Sequence, residues 1–159
     1  MHRAAELRQT ARMHLAFTKH AGKYDALVVT RPGRPPERID CPKQGIIPHD
    51  MVHYAVESIL AHRGFLSHVA DGAAPALAMA AGASEEAVER LVETFQAELW
   101  GGEVPAADLL ATYAHACDAR DHPAAPVSPE DVAAIRIRLA DLTARWGAVP
   151  VGGTLTLEF

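Results

Sequence analysis

The sequence predicts a single α+β domain in which a small antiparallel sheet, made of an N-terminal hairpin plus a C-terminal strand, packs against four to five helices. Three observations carry this prediction. Polar and apolar residues alternate with period two at both ends of the chain, while apolar residues recur every three or four positions through its middle. The length of 159 residues matches one domain with one core.

The sheet comes first. In His14-Leu15-Ala16-Phe17-Thr18-Lys19 and in Tyr24-Asp25-Ala26-Leu27-Val28-Val29-Thr30 alternate residues are apolar, and Ala21-Gly22-Lys23 between them suits a tight hairpin. Pro32, Pro35 and Pro36 then lead into a short strand, Glu37-Arg38-Ile39-Asp40. Flanking prolines place that strand at a sheet edge, because proline cannot donate to a neighbouring strand. Strands are thus expected over 13–40, after a flexible or briefly helical segment 1–12. At the other terminus, residues 154–159 put Leu155, Leu157 and Phe159 on one face. A strand alone is unstable in water, so this one should join the N-terminal hairpin.

Residues 47–147 read as helical. A helix is expected to start near Pro48 and run to about Leu60. A second opens at Ser84-Glu85-Glu86 and carries Val88, Leu91, Val92, Phe95 and Leu99 on one face up to Gly101-Gly102. A third, about Ala106 to Ala119, buries Leu109, Leu110, Tyr113, Ala116 and Cys117. A fourth begins at Ser128-Pro129-Glu130-Asp131 and aligns Val132, Ile135, Leu139, Leu142 and Trp146 before Gly147 and Pro150.

Charge and cysteine content narrow the function classes. The net charge of −5 divides unevenly: residues 1–45 hold nine Lys/Arg and four Asp/Glu, a balance of +5, and residues 46–159 hold six and sixteen, a balance of −10. A basic sheet layer against an acidic helical layer is the simplest account. The acidic majority would repel phosphates, so nucleic acid is not an expected partner. No apolar run reaches the roughly 20 residues of a membrane span, and the N-terminus lacks a signal-type apolar segment, so a cytoplasmic protein with no membrane partner is expected. Two cysteines, Cys41 and Cys117, suggest buried thiols or ligands rather than a disulfide.

One constellation carries chemistry. His49-Asp50-x-x-His53 is the H-E-x-x-H pattern of zinc hydrolases with Asp for Glu. Histidines four apart project from successive turns of one helix face, so both imidazoles can meet one Zn²⁺, and the carboxylate between them can act on a metal-bound water. His49 and His53 are therefore the expected metal ligands, Asp50 a base or hydrogen-bond acceptor, and Glu57 the group that orients His53. On a helical wheel His49 falls inside the apolar arc of Val52, Val56, Ile59 and Leu60, His53 at its edge, and Glu57 and Asp50 just beyond. Spacing does not fix a third ligand. Cys41, His68, His115, Cys117 and His122 all qualify by type, although His115 lies opposite its own helix's apolar stripe. No G-x-S-x-G elbow or G-x-G-x-x-G loop is present. Lys43-Gln44-Gly45, just before the helix, reads as a connecting turn or a weak anion cradle.

The stretch Pro48-His49-Asp50-Met51-Val52-His53-Tyr54-Ala55-Val56-Glu57, followed by Gly64-Phe65, resembles an uncharacterised bacterial protein family with a P-H-D-x-x-H-[YF]-x-V-E signature behind a short N-terminal sheet. The resemblance spans about residues 14–100. It implies the same fold outline and highlights the same residues, and it names no reaction. The expected function is thus a metal-binding protein, in its sharper form a metal-dependent hydrolase using Zn²⁺. The alternative is a structural or interaction domain, open to self-association, in which Pro48 and Asp50 suit the helix start and His53 and Glu57 form an ordinary i, i+4 pair.

Overall fold

The structure, a computed structural model, describes residues 12–60 and 83–159. The expectation for segment 1–12 falls almost wholly outside that range, as do His68 and Gly64-Phe65. Three strands come first, β1 (His14–Thr18), β2 (Tyr24–Thr30) and β3 (Glu37–Pro42). They are followed by helices α1 (His49–Leu60), α2 (Ala83–Gly101), α3 (Ala106–Ala119) and α4 (Pro129–Gly147), and by strand β4 (Thr154–Glu158).

The four strands form one antiparallel sheet in the order β3-β2-β1-β4. The C-terminal strand joins the hairpin as expected, with Leu15 opposite Leu157 and Phe17 opposite Leu155. On the other side of β1 the same two residues face Val29 and Leu27. Directly paired residues share a face, so this register lines up one apolar surface across the sheet. The proline-flanked β3 lies at an edge, and it runs two residues past the expected Asp40 because Tyr24 and Asp25 pair with Pro42 and Cys41.

Helix α1 is the hub of the helical layer, packing against both α2 and α4, while α3 packs on α2 and α4. The core runs from Leu15, Phe17 and Leu27 of the sheet through Met51, Val52 and Val56 of α1 to Leu91, Phe95, Ile135 and Leu142. Two edge-on ring pairs join the layers, Phe17 with Trp146 at 6.4 Å and Tyr54 with Phe159 at 6.3 Å. Lys19 reinforces the first, donating from Nζ to the Trp146 carbonyl while lying 4.7 Å from the ring centre. The expected charge complementarity between layers takes a different form. Arg31–Glu37 and Lys43–Asp25 stay within the sheet layer, and Arg136–Glu98 and Arg90–Glu93 within the helices. Among the described residues, apolar and aromatic packing and the Lys19 bond to the Trp146 carbonyl join the two.

The helix boundaries follow their local signals. Ser128 caps α4, with its hydroxyl accepting from Asp131 N–H and the Asp131 carboxylate accepting from Ser128 N–H. This reciprocal box satisfies two otherwise orphaned donors. Replacing Ser128 with alanine should cost about 1 kcal/mol, read as a fall in melting temperature of roughly 2–4 °C. Helix α2 already includes Ala83, so Ser84 lies inside it rather than at its cap. Arg136 of α4 binds Glu98 of α2 through both Nε and a terminal nitrogen, at 2.8 and 2.7 Å, fixing the two helices against each other.

Candidate metal centre

Pro48 stands just before α1, and its carbonyl accepts from Met51 and Val52 N–H to start the helix. From there His49, His53 and Glu57 follow one another turn by turn. Packing of α2 against α1 adds Glu89 and Gln96 from the facing helix.

The ring nitrogens converge. His49 Nε2 and His53 Nε2 lie 3.1 Å apart, with Glu89 Oε1 at 3.1 Å from the first and Oε2 at 2.7 Å from the second. Ligands at about 2.05 Å from one ion stand roughly 2.9–3.4 Å apart for right-angled to tetrahedral geometry, so this donor set has close to the spacing of a single metal's coordination shell. Among the described residues this trio is the group of His, Cys, Asp and Glu side chains that can hold an ion.

The far side of each ring is also engaged. His53 Nδ1 lies 3.0 Å from Glu57 Oε2, and His49 Nδ1 lies 2.8 Å from Gln96 Oε1. Both partners are acceptors, so each Nδ1 carries the proton and each Nε2 is left to bind an ion or a second proton. The centre has a dry and a wet side: the side chains of His53 and Glu57 are 2% and 0% exposed, those of His49 and Glu89 38% and 31%. The wheel placed His53 and Glu57 at the margin of the buried face. They are fully interior, and Glu89 of α2 reaches His53 across that margin.

Electrostatics follow from this crowding. Burial works to lower the His53 pKa, but hydrogen bonds to Glu57 and Glu89 outweigh it and lift the imidazole to about 10. His49 is raised in the same way, the bond to Glu89 overcoming burial and the neighbouring His53. For Glu89, burial is outweighed by its bonds to the two histidines, which hold its carboxyl well below the usual carboxylate range. A proton on the imidazoles thus does in the metal-free protein what a cation would do in the bound one.

The other sequence candidates lie apart from this trio. Asp50 points toward the sheet, where its Oδ2 accepts a long 3.8 Å bond from Cys41 Sγ, and burial raises its carboxyl pKa against the pull of both histidines. Glu57 touches the non-ligating nitrogen of His53, which makes it a positioning residue. Among the third-ligand candidates, Cys41 pairs with Asp50, His115 is exposed, and Cys117 and His122 are buried near α3. Spacing singled out none of them, and the residue that completes the trio is Glu89. A retrospective signal exists: Glu89 and Gln96 are seven residues apart, both bordering the apolar stripe of α2.

Both thiols are free and buried. Desolvation, then the Asp50 charge, pushes Cys41 up to about 12, and burial raises Cys117 as well. At pH 8 about one Cys41 in ten thousand is a thiolate, so Cys41 of the native protein should react with iodoacetamide roughly a thousandfold more slowly than Cys41 of unfolded protein, as peptide mass mapping will show.

Comparison with protein-family models, curated proteins and solved structures finds no match to this chain. No helix among the described residues is long and apolar enough to cross a membrane.

Proposed function

We propose that the protein binds one divalent transition-metal ion through His49 Nε2, His53 Nε2 and the Glu89 carboxylate, with Zn²⁺ the first candidate, and that it is a metal-dependent hydrolase. The observation that carries the proposal is the convergence of three donor atoms within about 3 Å while both Nδ1 positions are engaged by acceptors. Two imidazoles and one carboxylate are a donor set suited to zinc and other first-row ions, and poorly suited to Mg²⁺ or Ca²⁺, which favour all-oxygen shells. Three protein ligands also leave a position for water, the arrangement of catalytic rather than structural zinc. The ion would supply a water acidic enough to ionise near neutral pH.

The chain's own residues then divide the work. Glu57 holds His53 in its ligating orientation from the dry side. His49 and Glu89 face the half-open side, where a substrate can approach. Asp50 is the candidate general base. Its carboxyl is lifted by burial toward the range useful for proton transfer, and its thiol contact is weak enough to give way to a stronger bond.

One observation favours the structural alternative. The Glu57–His53–Glu89–His49–Gln96 chain is hydrogen-bonded throughout and ties α1 to α2 without an ion, provided protons are present. Metal analysis separates the two readings. Protein prepared without an affinity tag should carry close to one equivalent of a first-row ion, or gain several degrees in melting temperature on Zn²⁺ addition. Under a tenth of an equivalent, with no thermal shift, establishes the structural reading.

A further inference from the structure

We infer that Gln44 and Gln96 form an amide relay that positions His49 as a ligand; this rests on the metal reading above and adds two residues to it. An imidazole binds an ion best through Nε2 when Nδ1–H has an acceptor that fixes the tautomer and holds the ring. For His53 that acceptor is Glu57, one turn further along the same helix. His49 has no such option, because the position one turn on is His53 itself. Its acceptor comes from α2, as Gln96 Oε1 at 2.8 Å.

A carboxamide can present either oxygen or nitrogen. Were the Gln96 amide reversed, its NH₂ would face Nδ1, the imidazole proton would move to Nε2, and the ligand would be lost. Gln44 prevents the reversal. Its Nε2 donates to the Ile47 carbonyl at 2.8 Å and to Gln96 Oε1 at 3.0 Å. A backbone carbonyl can only accept, so the Gln44 nitrogen is fixed beside it. The Gln96 oxygen is fixed in turn, and the proton stays on His49 Nδ1. Polarity therefore runs one way from the backbone to the metal ligand.

The relay is anchored. Gln96 is buried, and Trp100, one turn further along α2, donates from Nε1 to the Gln44 carbonyl at 2.7 Å. Gly45, at φ +81°, lets the chain turn there so that the Gln44 side chain can fold back onto Ile47. The neutral relay also preserves charge balance. A divalent ion is already matched by Glu57 and Glu89, and a third carboxylate is not needed.

Titration with Co²⁺, read by visible absorption, tests the relay. Gln96→Leu should weaken Co²⁺ binding about 10- to 100-fold and change the spectrum, Gln96→Glu should restore affinity by supplying an acceptor again, and Gln44→Leu should weaken binding about tenfold. If Gln96→Leu does not fold, the half-buried Gln44 variant decides alone. Wild-type affinity and spectrum in the leucine variants overturn the relay. A wild-type protein that takes up no Co²⁺ overturns the metal reading and the relay with it.

Discussion

Glu89→Ala should abolish tight metal binding, weakening Zn²⁺ affinity more than about a hundredfold. Loss of a group that merely orients a ligand typically costs 10- to 100-fold, and a ligand itself must cost at least as much. Two facing imidazoles 3.1 Å apart would then hold the ion alone. Glu86→Ala, on the same helix but exposed, is the matched control. Competition against a chromophoric chelator measures both variants, and equal affinity in the two would remove Glu89 from the centre. The pH dependence has a definite sign. His53 in the metal-free protein is raised above its ordinary value to about 10, so its protonated pairing with Glu57 and Glu89 is fully stabilising below about 6.5 and is lost as the pH climbs through 10. An incoming ion must displace that proton across this whole window. Metal affinity should therefore rise with pH, by roughly tenfold per unit for each proton released, and the melting temperature of the metal-free protein should fall over the range in which affinity rises.

Why Glu89 escaped the sequence is instructive beside what did not. The apolar face of the sheet, the extent of α4 and the pairing of His49 with His53 are all local or periodic signals. Alternation sets the face of Leu15 and Phe17, Ser128 and Gly147 bracket α4, and a four-residue interval brings the imidazoles together. A third ligand from another helix depends on the rotation of α2 about its axis and its slide along α1. These are decided by ridges of Val88, Leu91, Val92 and Phe95 meeting Val52 and Val56 in the core, which no short interval records. Glu89 is also camouflaged, one of five glutamates in Ala83–Gly101 that read as a solvated face. Gln44 is hidden differently: in a turn it looks like a connector until Gln96 is seen opposite. Asp50 shows that a motif fixes spacing but not the direction a side chain faces. One residue past His49 is a rotation of about 100°, which here aims the side chain at Cys41 of β3.

Phe17→Ala should destabilise the protein by about 3–5 kcal/mol, a large share of the roughly 5–15 kcal/mol typical of a domain. Phe17 is fully buried near the C-terminal end of β1, between Leu27 and Leu155 on the neighbouring strands, with its ring edge-on to Trp146 of α4. Truncation removes both the strand-to-strand contacts and an aromatic pair that joins sheet to α4, leaving a cavity that Trp146, pinned through its carbonyl by Lys19, is poorly placed to fill. The melting temperature should fall by roughly 6–20 °C. The proposed metal centre lies elsewhere, between α1 and α2, so well below the transition Zn²⁺ affinity should stay within about threefold of wild type. Saturating Zn²⁺ should then raise the stability of Phe17→Ala and of the wild type by the same free energy, because that increment depends only on ligand concentration and affinity. Glu89→Ala should show the opposite pattern, with no stabilisation by Zn²⁺ on an intact core. A tenfold loss of affinity in Phe17→Ala would instead mean that the sheet holds α1 in its ligating position, coupling the core to the centre through the Cys41–Asp50 and Tyr54–Phe159 contacts.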